Sequence, residues 1–243
     1  MLIITADDYG KNTEATDAII HCYKNKRITS ASAMVSMADS KRAASLALET
    51  SLEVGLHLNF TLPFNEYGVS RKLNAYQEKL VSYLAKHKLA QILVNPFLSD
   101  AFHNVCKAQR EEFVRLYGRE PEFYNGHHHM HLCSNVLASG SIPRGAKVRG
   151  TFTFDPGEKN SVNLFYRHML EKYVSKKFVS TDSFFSVAPV QDHERVRQII
   201  NRAGKETVEL EVHPENQDET EFLLSDEFGE LVGSVQLGRF SDL

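Results

Sequence analysis

Short apolar runs that end in polar or charged residues recur along this chain, and stretches of helical periodicity lie between them. That alternation limits the fold more than any other feature. Strands joined by helical crossovers pair in parallel, which leaves an α/β fold of barrel-like or doubly wound form. The first run, Leu2-Ile3-Ile4-Thr5, reads as a buried strand with two adjacent carboxylates, Asp7 and Asp8, at its C-terminal end. Strand ends of this kind are where α/β proteins keep their chemistry. Neighbouring side chains on a strand point to opposite faces, so the two carboxylates share a site only if the strand is already breaking, and Gly10 supplies the break. Together they could divide labour, one holding a cation and the other taking a proton from water. The plain alternative is an Asx-type turn and N-cap ahead of a helix over Asn12 to Tyr23.

Further strands are expected at Ile28 to Val35, Leu52 to Phe60, Pro121 to Tyr124, Lys147 to Arg149, Val179 to Thr181 and Thr207 to Val212, with a short one at Val235 to Leu237. Helices are expected at Asp39 to Glu49, Tyr76 to Leu93, Phe97 to Tyr117, Ser161 to Lys177, Asp192 to Ala203 and Glu221 to Val232. Residues 61–75 have no clear period and form a candidate substrate-covering loop. About seven strands alternating with helices would make a single domain over 1–243, since α/β barrels of this length form one unit.

Lys and Arg number 28 against 31 Asp and Glu, and neither sign is gathered into runs, which argues against a nucleic-acid or anionic-membrane surface. Cys22, Cys106 and Cys133 are too far apart for a metal knuckle and read as reduced thiols of a cytoplasmic protein. No stretch has the apolar length of a membrane span. The partner expected is therefore a small polar substrate; a homo-oligomer is compatible with the same composition.

Four polar clusters fall at expected strand ends: Asp7 with Asp8, His57 with Asn59, the run His127-His128-His129-Met130-His131, and His213. One carboxylate and two imidazoles from separate segments make a three-ligand site with open positions, the arrangement of catalytic metals. Taken singly each has a dull reading: an interior hydrogen-bonded His57, adventitious metal binding by the histidine run, an ordinary strand terminus at His213. Their joint placement is the stronger signal.

Leu2 to Gly10, Gly55-Leu56-His57-Leu58-Asn59, Gly126 to His131 and Glu211-Val212-His213-Pro214 resemble, in order, the motifs of the YdjC-like carbohydrate deacetylases, which include the chitooligosaccharide deacetylases. Ile28 to Ser32, Lys147 to Arg149, Thr181-Asp182-Ser183-Phe184 and Arg239 to Leu243 extend the likeness from end to end. The resemblance implies a deformed TIM-like (β/α) barrel with one divalent metal ion, Mg²⁺ or Zn²⁺, that hydrolyses the N-acetyl group of an acetylated amino sugar. By position it makes Asp8, His57 and His127 the ligands, Asp7 the base and His213 the acid. Asn125, His129 and His131 would support the ligands, and Arg149 and Asp182 are candidates for holding sugar hydroxyls. Asn125 stands where the family usually has Asp, Glu215 replaces a small residue, and the 216–221 region is shortened and lacks an arginine. The competing readings are a metal-dependent phosphoesterase and a sugar- or metal-binding protein without turnover.

Overall fold

In the computed structural model, which describes residues 1–86, 89–154 and 161–243, six strands pair in parallel: β1 (Leu2–Tyr9), β2 (Ser30–Ala33), β3 (Glu53–Leu58), β4 (Tyr124–Gly126), β5 (Ser183–Ser186) and β6 (Val208–Val212). Their order in the sheet is β4-β3-β2-β1-β6-β5. Because every pairing is parallel, all six C-terminal ends lie on one side. The connecting helices are α1 (Thr13–Lys24), α2 (Ser40–Thr50), α3 (Arg71–Lys86), α4 (Ser99–Tyr117), α5 (Ser134–Ser139), α6 (Ser161–Lys177) and α7 (His193–Arg202), with α8 (Gln217–Leu224) and α9 (Asp226–Gly233) after the last strand.

The two faces of the sheet differ in chemistry. Leu2, Ile4 and Ala6 of β1 and Val208, Leu210 and Val212 of β6 join Ile19, Phe102, Val105, Phe113, Val196 and Ile200 from the helices in the main core. The alternate residues, Thr5 and Asp7, Ser30 and Ser32, His57, Asn125, Glu209 and Glu211, are polar and buried, so the other face is a polar surface taken out of water. Beneath it Ile3, Phe123 and Phe240 form a small apolar floor, with the rings of Phe123 and Phe240 stacked at 3.9 Å. The Glu53 carboxylate holds that floor shut by accepting from the backbone N–H of Phe240 (2.8 Å) and Ser241 (3.0 Å).

Between the two edge strands runs the segment 147–153. Tyr124 N–H donates to Lys147 and Arg149 N–H to Tyr124 on the β4 side, while Thr153 N–H donates to Phe184 on the β5 side. Arg149 is thereby carried over the polar face. Gly55 sits where the floor meets β3: a Cβ added there would lie 2.6 Å from the Phe123 ring. Gly55→Ala should cost about 1–3 kcal/mol of stability through overpacking, read as a lower melting temperature in thermal denaturation; an unshifted transition would show that the floor can yield.

The strand count is six, where the sequence predicts about seven. Residues 147–149, 179–181 and 235–237 contribute only isolated bridges, Tyr124↔Val148, Lys147↔Val179 and Leu2↔Leu237, because each short run meets a partner at a single position and no ladder propagates. β5 begins two residues after the expected strand at Val179 to Thr181. The helix expected over Glu221 to Val232 is two helices, since Ser225 takes an extended conformation and caps α9 by accepting from Phe228 N–H. The helix expected over Tyr76 to Leu93 starts earlier, at Arg71, and is described to Lys86; residues 87–88 of that expectation lie outside the described residues. Cys22, Cys106 and Cys133 are buried and free. Among the described residues no helix is long and apolar enough to cross a membrane.

Candidate active site

At the end of β1 the register slips between Ala6 and Tyr9, and Asp8 takes a φ of +68°. A left-handed conformation costs an L-residue energy, and Asp is among the few that tolerate it. The slip turns Asp8 to the same side as Asp7, and Gly10, at φ +86°, completes the turn into α1, whose N-cap Asn12 accepts from Ala15 N–H. Both carboxylates are buried, at 2% exposure each.

His57 on β3 and Asn125 on β4 are register partners, which sets His57 Nδ1 2.8 Å from Asn125 Oδ1. The amide nitrogen of Asn125 donates to Ser32 Oγ (2.7 Å) and to Asp7 Oδ1 (3.2 Å). Since the Asp7 carboxylate only accepts, the amide can face only one way, and Oδ1 must accept from His57 Nδ1–H. Asn125 therefore orients the imidazole as a carboxylate would, and turns Nε2 toward Asp8. That nitrogen lies 3.3 Å from Asp8 Oδ1, and His127 Nδ1, delivered just past β4, lies 3.0 Å from the same oxygen. The donor atoms of Asp8, His57 and His127 all fall within 4.8 Å of one another.

Asp8 Oδ1 and His57 Nε2 are both buried and have no hydrogen-bond partner among the described residues. Buried polar atoms are normally satisfied, and two orphaned donors of this kind beside a second imidazole fit a divalent cation. Burial is the largest influence on Asp8 and pushes its pKa up, yet His127 and His57 outweigh it and hold the carboxyl well below the usual range. Asp8 is therefore a carboxylate, the form a cation would bind.

Asp7 is held differently. Arg149, 0% exposed, donates to it twice, Nη1 to Oδ2 at 2.6 Å and Nη2 to Oδ1 at 2.9 Å. The same guanidinium reaches Glu209 Oε1 through Nε (2.8 Å) and Glu211 Oε1 through Nη1 (2.9 Å). Its face rests over the Phe184 ring, 4.7 Å from the centroid. Burial again pushes Asp7 up, and Arg149 with His57 more than reverses it. Burial also raises Glu209 and Glu211 above the usual carboxylate range, the latter most, because one guanidinium cannot satisfy three carboxylates.

His213 follows β6 with its ring half-open to solvent, and a ring nitrogen falls within 4.8 Å of Asp7 and Glu211 oxygens. Its backbone N–H donates to Glu219 Oε2 at 2.6 Å. His131 is wholly buried, donates from Nε2 to the Arg149 carbonyl (3.0 Å), and stays neutral, its pKa pulled down by burial to about 3. His129 packs edge-on against Phe152 and Phe184, with Nε2 3.8 Å from Glu211 Oε1. The histidine run is a tight turn with left-handed backbone at His128 and His129.

The structure thus gathers Asp7, Asp8, His57, His127, His213, Asn125, His129 and His131 at one end of the sheet. Two expected substrate contacts are not there. Arg149 is sealed beneath the site with its donors spent on carboxylates, so it orients Asp7 where a sugar contact was expected. Asp182 precedes β5 and accepts from Thr207 N–H, level with the start of β1; six residues of strand put it roughly 20 Å below the carboxylates. Asn59 also departs from its expected partner His57, because its side chain is spent on the loop backbone of Thr61 and Leu62. The sequence does not single out Ser32, Glu209 or Glu211 as part of the site. The strict alternation of Glu209 and Glu211 with apolar residues was the available signal, and it reads equally as a solvent face.

A sequence model of the YdjC-like protein family matches residues 1–233. Chitooligosaccharide deacetylases of Salmonella newport and Salmonella enteritidis PT4 are 30% identical over 156 residues, covering 61% of this chain. That match spans 58% of the relatives' own length. Among solved structures, a proposed cellobiose-phosphate cleavage protein of Enterococcus faecalis V583 superposes with a TM-score of 0.71 at 20% identity, over 99% of this chain and 97% of the other. The Xyl-CE4 domain of a multidomain xylanase from the hindgut metagenome of Trinervitermes trinervoides gives 0.50 at 9% identity, over 99% and 87%. Both are likenesses of fold.

Proposed function

This chain belongs to the YdjC-like protein family, and from that premise we propose that it is a metal-dependent hydrolase that removes the N-acetyl group from an acetylated amino sugar or short chitooligosaccharide. Its sheet, with the segment 147–153 spanning the edge strands, is the wall of a deformed TIM-like barrel whose C-terminal end carries the reaction. One observation carries the reading. A buried, unsatisfied pair, Asp8 Oδ1 and His57 Nε2, lies 3.3 Å apart next to a second carboxylate that is clamped in its ionised form.

Asp8, His57 and His127 would hold one divalent cation, Zn²⁺ or Mg²⁺. What such an ion supplies is Lewis acidity toward the acetamide carbonyl and a more acidic water. Arg149 holds the Asp7 pKa well below the usual carboxylate range, so Asp7 offers a carboxylate to take the proton from the attacking water. His213, steadied through its backbone by Glu219, gives a proton to the departing sugar nitrogen. Asn125 fixes the His57 ring, and His131 fixes the Arg149 backbone.

Purified protein supplied with Zn²⁺, Mg²⁺ or Mn²⁺ should release acetate from N-acetylglucosamine oligosaccharides. His213→Ala should lower that release roughly tenfold or more with metal content unchanged, the loss moderated because solvent reaches this position and water can stand in as acid. No acetate from any acetylated sugar, together with turnover of aryl phosphates untouched by His213→Ala, would replace the deacetylase with the phosphoesterase reading. Sugar binding without either turnover would make the chain a binding protein.

A further inference from the structure

We infer that Lys11, braced by Glu215, keeps Asp8 a one-oxygen ligand and so biases the site toward small cations of low coordination number. This rests on the metal site of the proposed function and concerns what selects among ions there.

The two oxygens of Asp8 face different neighbours. Oδ1 looks toward His57 and His127 and has no hydrogen-bond partner among the described residues. Oδ2 accepts from Lys11 Nζ at 3.1 Å. Lys11 is tied to the same residue through its backbone, its N–H donating to the Asp8 carbonyl at 3.1 Å. A carboxylate with one oxygen committed to an ammonium cannot close on a cation with both. Ca²⁺ and ions like it draw on bidentate carboxylates and high coordination numbers, whereas Zn²⁺ is content with three single donors and an open position.

A lysine alone would hold such a place weakly, because its four-carbon stem has many rotamers to lose. Here Nζ also lies 2.5 Å from Glu215 Oε1, and the side chains of Lys11 and Glu215 are 22% and 24% exposed. Glu215 follows His213-Pro214 at the end of β6, so the contact crosses from the last strand's loop to the first. The acidic residue that replaces a small one after His-Pro thus pins the ammonium against the ligand's second oxygen. No other described cation contacts Oδ2.

Calorimetric titration of metal-free protein with Zn²⁺, Mn²⁺ and Ca²⁺ tests the assignment. Lys11→Met should raise the ratio of Mn²⁺ to Zn²⁺ affinity by about tenfold, the scale on which groups behind a ligand tune metal sites, and should bring Ca²⁺ binding into range. Glu215→Gln should shift the ratio in the same direction by less, and Lys11→Arg, which keeps a cation beside Oδ2, should leave it near the wild-type value. An unchanged ratio in a folded Lys11→Met protein that still binds one ion overturns the assignment while leaving the metal site standing. Wild-type protein that binds none of the three ions overturns the metal reading, and this inference with it.

Discussion

Asp7→Asn should abolish most turnover, by a factor on the order of 10² to 10⁴, while the protein still binds its metal. The substitution preserves the shape of the side chain and leaves Asp8, His57 and His127 untouched. What it removes is the negative charge that Arg149 holds in place with two hydrogen bonds. An amide at this position can still meet one guanidinium N–H, but its own NH₂ faces Arg149 and Asn125, both donors, so a modest loss of stability accompanies the loss of rate. The measurements are kcat for acetate release and metal content by elemental analysis on the same preparation. Loss of the metal would make Asp7 a ligand; turnover within a few-fold of wild type would dismiss it as the base.

The second large effect is on folding. Arg149→Met leaves Asp7, Glu209 and Glu211 buried without their cation, and breaking a buried charge network in this way costs about 3–5 kcal/mol. The cost should depend on pH. Arg149 holds the Asp7 pKa down in the folded protein, so its stabilising effect is fully present above the ordinary carboxylate range and shrinks as the unfolded chain takes up protons near pH 4. Glu209 and Glu211 are raised by burial and would rise further without Arg149. Their penalty is absent below the unfolded value and grows with pH above it. Both trends make the difference between wild type and variant largest at neutral pH and smaller near pH 4. Urea denaturation at the two pH values measures it, and a gap that stays constant or widens in acid would refute the account.

The gathering of Asp8, His57 and His127 at the ends of β1, β3 and β4 was legible in the sequence because each end combines an apolar run, a turn signal and a residue type with few other uses. The slip at Asp8 could be anticipated for the same reason: two adjacent carboxylates at a strand end have one way to share a site. Arg149 was legible as a strand-end residue but not as a buried one. Its partners lie 60, 62 and 142 residues away, and no local pattern records contacts at that range. Glu209 and Glu211 failed differently. Alternation tells which residues share a face and says nothing about whether that face meets solvent or the inside of a curled sheet. Asp182 was misplaced by a boundary error of a few residues, enough to exchange the end of a strand for its beginning. The short strands that proved to be bridges carry the right residues with too little length to pair.

Because β1 lies between β2 and β6, the carboxylates are tethered to an interior strand with few routes to escape. Thr5 and Ala6 are paired with β2 on one edge and β6 on the other and are buried on both faces, so the exchange of their amides with deuterium should wait for opening of the whole sheet. Asp7 and Asp8 inherit that lifetime. A loop-borne site breathes on the timescale of its loop, whereas these two carboxylates should persist between turnovers for as long as the molecule remains folded, with the half-open His213 and the Lys11–Glu215 contact left to respond to what arrives.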